Sequence, residues 1–110
     1  MSEERRHLVW RLNDRLRQSH SGGQVMITRG VQALGPEFVA AALRAVAAFD
    51  SFDADNDPHG EHDFGALTVR GERILFKIEA FDRTLTVASP NPANPAVTTR
   101  VLTIMLVDEY

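Results

Sequence analysis

The chain has 110 residues, 44% of them hydrophobic and 25% charged, with a formal net charge of −3; this is the profile of an ordinary globular protein and excludes a disordered or fibrous one. It contains no cysteine, which excludes disulfides, thiolate metal sites and cysteine nucleophiles. Twelve bases against fifteen acids argue against a strongly cationic nucleic-acid binder, and no window approaches the roughly 18 apolar residues that suggest a membrane span.

The length leaves little room for a second core, so one domain over residues 1–110 is expected. The opening "MSEERRHLVW" lacks the apolar region of a signal peptide, and a cytoplasmic location is expected. From Glu3 to about Ser19, Leu8, Val9, Leu12 and Leu16 fall on one stripe at helical spacing, which predicts an amphipathic helix. "SHSGG" breaks it, because adjacent glycines favour a turn. "QVMITR" then reads as a short strand with Val25 and Ile27 on one face and Met26 and Thr28 on the other. "LGPEFVAAALRAVAAF" places Pro36 in a first helical turn and Phe38, Ala42, Val46 and Phe49 along one side, predicting a second helix to about Asp50.

The stretch "DADNDPHGEHDFG" gathers Asp53, Asp55, Asp57, Glu61 and Asp63 with His59 and His62, and holds no lysine or arginine. After this acidic loop, "ALTVRGERILFKIEAF" alternates apolar and polar residues on both sides of Gly71-Glu72, which predicts a hairpin. "DR" at 82–83 predicts a second tight connection into "TLTVAS", making a three-stranded meander. "SPNPANP" is a proline-punctuated loop in which Asn94 before Pro95 matches a helix start. The last segment, "AVTTRVLTIMLVDEY", fits helical spacing at Val97, Val101, Ile104 and Met105, although "VLTIMLV" also suits a buried strand. The start signal and the length favour helix. The expected fold is α+β, a mainly antiparallel sheet of about four strands with helices packed on one face.

The acidic motif, together with "FKIEAFDRTL", "SPNPANP" and "VLTIMLVDEY", resembles the uncharacterised bacterial family catalogued as domain of unknown function number 3768. The family's patterns "NDPxGEHDFG", "KIxxxD" and "LTIML" match at Asn56 to Gly65, Lys77 to Asp82 and Leu102 to Leu106. The resemblance covers most of the chain, from "LNDRLR" and "VMITRGV" to the C-terminal tyrosine. It implies a bacterial protein associated with chromosomes, plasmids and other mobile elements, and it supplies no activity. It places His59 at the variable position of the motif and Glu61, His62 and Asp63 inside the matching residues.

"DADND" begins like a calcium loop, but Pro58 stands where that loop needs glycine and Phe64 where it needs a bidentate glutamate. A divalent transition metal could instead take Asp57, His59, His62 and Asp63, since imidazole and carboxylate together suit such ions. A structural reading competes with this one: the acids cap backbone amides and solvate a turn. A hydrolase or nuclease would use Glu61, His62 or Asp63 as the catalytic group. However, Leu75 occupies the position at which a carboxylate–x–lysine nuclease motif would precede Lys77. No phosphate loop or nucleophile elbow is present. Trp10 lies nearly opposite Leu8, Leu12 and Leu16, beside Arg6, Asp14 and Arg17, and exposed Trp with Arg is enriched at interfaces. Alternatively, Trp10 packs beneath the N-terminus or a loop.

The leading expectation is therefore a protein-interaction or accessory module that binds a protein partner through Arg6, Trp10 and Arg17 or through the acidic loop. The alternative is a metal-dependent hydrolase or nuclease centred on that loop.

Overall fold

The computed structural model describes residues 2–110, Met1 lying outside them. Its first helix, α1 (Glu3–Ser19), begins at Ser2, whose hydroxyl accepts from the amide of Arg5 at 3.2 Å, as an N-cap does. Glu3 and Glu4 in the first turn complement the helix dipole. The helix stops at His20, which adopts a left-handed conformation and donates its amide to the carbonyl of Leu16 at 2.9 Å. The buried stripe is Val9, Asn13, Leu16 and Arg17, whereas Leu8 is 48% exposed. Of the expected stripe, Val9 and Leu16 are buried and Leu12 is partly buried, and the helix is rotated so that Leu8 faces outward. Asn13 and Arg17 turn inward because each bonds another element.

The strand β1 (Gln24–Ile27) is followed by a single helical turn, α2 (Arg29–Gln32), which the sequence pattern does not reveal. The Glu109 carboxylate holds it, accepting from the Thr28 hydroxyl at 2.6 Å, the Gly30 amide at 3.1 Å and the Leu106 amide at 2.8 Å. A side chain at Gly30 would place its Cβ 2.6 Å from that carboxylate, so glycine permits the approach. The next helix, α3 (Pro36–Ala48), starts at proline as expected and buries Phe38, Ala42 and Val46.

Strands β2 (Phe64–Val69) and β3 (Glu72–Phe81) form the predicted hairpin. Its turn is one residue earlier than expected, at Arg70-Gly71, where φ is +49° and +84°. Two positive φ values in a two-residue loop make the mirror-image turn that matches strand twist.

The C-terminal segment corrects the expected helix. It forms β4 (Thr99–Leu106), and the sheet order is β1-β4-β3-β2, with β4 antiparallel to β3 and parallel to β1. The architecture is α+β, with a four-stranded mixed sheet that is antiparallel except for that one pair. The start signal at Asn94 is real but short, since its side chain accepts from the Ala96 amide at 2.9 Å and caps one 3-10 turn over Pro95–Val97. Beyond it the β-branched residues and burial on both faces select the strand.

"TLTVAS" is likewise not a third meander strand. The Asp82 carboxylate accepts from the Thr86 amide at 3.0 Å and from the Thr84 hydroxyl at 2.9 Å, closing a local turn, and the segment returns to β3 only at an isolated antiparallel bridge between Ala88 and Phe81.

The core lies between the helices and one sheet face. It joins Leu16, Val31, Phe38, Ala42 and Val46 to Val69, Ile74, Phe76, Ile78, Leu102 and Ile104. At Gly65 a Cβ would lie 2.5 Å from the Phe76 ring and 2.7 Å from the Phe49 ring. The absence of a side chain there lets the two aromatic rings meet the sheet. No helix among the described residues is long and apolar enough to cross a membrane.

Candidate functional site

The acidic motif folds as a loop tied by its own carboxylates. Asp53 Oδ1 accepts from the amides of Asp55 and Asn56 at 2.9 and 3.1 Å. Asn56 returns the contact by accepting from the Asp53 amide at 2.9 Å and donating to the Ser51 carbonyl at 2.8 Å. Asp57 is buried and accepts from the amide of Glu61 at 2.8 Å and that of His62 at 3.2 Å. These are the local side-chain-to-backbone bonds by which Asp and Asn build turns. Gly60 completes the loop at φ +66°, and a Cβ there would sit 3.3 Å from Arg6 Cδ.

The loop delivers His62 to α1. His62 has φ +55°, an uncommon conformation for a residue with a side chain, and one that clusters at functional positions. Its ring stacks on Phe52 with centroids 4.1 Å apart and planes 1° from parallel, and the Trp10 indole lies 5.2 Å away on a tilt. Nδ1 contacts Asp14 Oδ1 at 3.0 Å, while Nε2 stands 3.9 Å from Asp57 Oδ2, too far for a hydrogen bond. The His62 side chain remains 28% exposed and helps to line a cleft of about 380 Å³ with Asp14, Arg17 and Phe52. The arrangement is that of an imidazole oriented by a carboxylate at Nδ1, with Nε2 making no hydrogen bond among the described residues.

Arg17, expected on a binding surface, is instead buried at 2% exposure and is withdrawn from that surface. Its guanidinium donates to the carbonyls of Val46, Ala47 and Phe49 at 2.9, 3.0 and 2.7 Å and pairs with Asp14 at 2.9 Å. A cation at the end of α3 meets the carbonyls of its last turn, of which that of Val46 also accepts from the Phe49 amide at 3.3 Å, and opposes the negative end of the dipole. The same group lies over the rings of Phe52 and Phe76 at 5.3 and 5.9 Å.

Glu61 and Asp63, the neighbours of His62 in the motif, are both half-buried. Burial raises the carboxyl pKa of Glu61, with the Asp63 charge adding to the effect. Burial also raises that of Asp63, and the Asp57 charge reinforces the shift against the opposing hydrogen bond of its own backbone. Asn13 fixes this side by donating to the Glu61 carbonyl at 2.9 Å and accepting from Arg100 Nε at 2.8 Å. Arg100, itself buried, also donates to the Pro92 carbonyl. One asparagine therefore links α1, the motif loop, β4 and the proline-punctuated loop.

The metal candidates do not converge. Asp57 faces amides, His59 is exposed, and His62 is turned toward Asp14. Among the described residues no group of three His, Cys, Asp or Glu side chains is placed to hold a metal ion. The catalytic candidates Glu61, His62 and Asp63 are consecutive, yet Glu61 feels the charge of Arg100 while the His62 ring lies against Trp10 and Asp14.

Sequence reasoning missed Asn13, Phe52 and Arg100, and it placed Asp14 beside Trp10 without its contact to His62. One signal was legible: Asn13 and Arg17, four residues apart, interrupt an otherwise apolar stripe. Trp10 sits half-buried under the motif loop, with Arg11 5.7 Å above its ring and the His7 ring 6.1 Å away. The packing alternative therefore describes one side of the indole, and Arg6 remains exposed beside it.

A family model described as protein of unknown function (DUF3768) matches residues 27–109. That span holds β2, β3, β4 and the motif loop, and it begins at the last residue of β1, leaving α1 outside. No curated protein matches the chain, and no solved structure does.

Proposed function

From the premise that the chain belongs to the DUF3768 family of proteins of unknown function, we propose that it is a protein-interaction module whose anchor is Trp10. The observation that carries this reading is the mounting of the indole. His62 backs one side of it, Arg11 and His7 border it, and part of the ring remains exposed. A rigid, partly desolvated aromatic flanked by arginine is the composition of an interface hot spot. The motif loop supports it by holding His62 in place through Asp57. In this reading the loop's polar residues are scaffold and Arg6, Trp10 and Arg11 form the contact surface. The bacterial and mobile-element setting implied by the family resemblance, with the cytoplasmic location expected from the N-terminal sequence, fits an accessory role of this kind.

The metal-dependent hydrolase or nuclease has less support, because the Asp57 carboxylate is occupied by amides and, among the described residues, no three of the expected ligands are placed to hold an ion. Titrating divalent metals against thermal unfolding separates the two readings, since only the hydrolase predicts an ion-selective stabilisation.

The interaction reading is tested by placing a photocrosslinking amino acid at Arg11 and irradiating cells that express the chain. A discrete adduct with one protein is expected. Trp10→Ala should abolish it while the circular dichroism of the purified variant stays unchanged, because loss of a hot spot costs about 2 kcal/mol or more in binding. An adduct that persists in Trp10→Ala, or no adduct at all, overturns the assignment.

A further inference from the structure

The helix α3 is apolar nearly all round; over Pro36–Ala48 its only charged residues are Glu37 and Arg44. A helix of that composition is normally covered on more than one side. Phe38, Ala42 and Val46 face the core, while Val39, Ala40, Leu43 and Ala47 remain only partly buried. At about 100° per residue, Ala40, Ala47, Glu37 and Arg44 all point away from the core, the alanines on the side that leads to the apolar flank of Val39 and Leu43 and the charged pair on the other side. Beside the apolar flank runs a groove of about 460 Å³ lined by Ile27, Gln32, Pro36, Val39, Ala40 and Leu43.

The charges on this face complement each other under a two-fold rotation. The midpoint of Glu37 and Arg44 and that of Val39 and Leu43 both fall at Ala40–Ala41. In an antiparallel pairing of two α3 helices about that point, like flanks meet. Glu37 of one copy then faces Arg44 of the other, twice, and Val39 faces Leu43, twice. Ala40 at the axis lets the helices approach closely, and Leu43 of the second copy fills the groove. Glu37 and Arg44 are both exposed, and neither takes part in an ion pair among the described residues.

We infer that this face of α3 is a homodimer surface, occupied by the same face of a second copy in antiparallel orientation. The contact is isologous, so it closes on itself as a dimer. A single helix face is a small interface, and the affinity belongs in the micromolar class.

The test is sedimentation equilibrium of the full chain from micromolar to millimolar concentration. The native protein should show a reversible monomer–dimer equilibrium. Glu37→Arg and Arg44→Glu should each raise the dimer dissociation constant about tenfold, since each turns two symmetric attractions into repulsions. The double variant Glu37→Arg/Arg44→Glu should restore it, and Ala40→Glu should leave only monomer with unchanged circular dichroism. Trp10→Ala should leave the equilibrium unaltered, which keeps this surface distinct from the one proposed above. A native chain that stays monomeric throughout, single reversals without effect, or a double variant that fails to recover the dimer would each overturn the inference.

Discussion

Replacing Asp57 by alanine is the most direct probe of the motif loop. The carboxylate accepts from the amides of Glu61 and His62, and the substitution leaves both without their partner. A hydrogen bond to a charged acceptor contributes about 1.5–3 kcal/mol, but a half-exposed loop lets water recover part of that. Removing the Asp57 charge also relieves repulsion on Glu61 and Asp63. The net cost is about 2–3 kcal/mol, a fall in Tm of roughly 8–12 °C at about 4 °C per kcal/mol for a chain of this length. Asp57→Asn keeps one oxygen acceptor and should cost about 1 kcal/mol. Trp10 is the only tryptophan, so its fluorescence reports the docking of His62 directly. Emission should shift to the red in Asp57→Ala, because the loop that backs the indole is released. An unchanged Tm together with native emission in Asp57→Ala would refute the reasoning that this carboxylate pins the loop.

Two further substitutions probe the groups around that loop. Glu61 has a raised pKa, so the folded state holds its proton more tightly than the unfolded chain does. The associated stabilisation is full below the ordinary value of 4.5 and is lost as pH rises through the folded pKa. Glu61→Gln should therefore raise Tm relative to the native chain at neutral pH, with the difference vanishing in acid; a constant difference across the pH range contradicts this. Comparing the two proteins at each pH cancels Asp82 and Glu109, whose pKa values are lowered by hydrogen bonds and whose stabilisation runs the opposite way, being lost as pH falls. Arg17→Met removes three carbonyl contacts and the Asp14 pair while keeping an apolar stem. Calorimetry should show a loss of about 3–5 kcal/mol, the cost of breaking a buried pair, and a loss below 1 kcal/mol would mean that α3 ends without help from α1.

What the sequence made legible follows from how local each signal is. Both long helices, the first strand and the β2–β3 hairpin declare themselves through periodicity and capping. β4 does not, because a central strand buried on both faces reads as a continuous apolar run, and its spacing also satisfies a helix. "TLTVAS" has strand composition, yet Asp82 captures its amides, and that competition lies in side-chain bonding outside the pattern. For the site, the motif loop and Trp10 were visible as unusual stretches. Their meeting was not, because Asp14 and His62 are 48 positions apart and only the packing of α1 joins them. Arg17 was misplaced for a related reason: charge suggests surface, while the carbonyls that draw it inward belong to another helix.

The position of β4 also governs how the chain can fold. Among the strands it comes last in sequence, yet it lies between β1 and β3 and pairs with both. A growing chain that ends before residue 99 holds β1 and the β2–β3 hairpin as separate pieces with no strand between them. The helices then have no complete sheet to cover, and their apolar faces wait exposed while synthesis proceeds. Completion depends on contacts between segments more than 70 residues apart, Gln24 with Val101 among them, which is the high contact order that slows folding. The strand that the sequence disguised most effectively is thus the one whose arrival converts a tethered set of fragments into a cooperative unit.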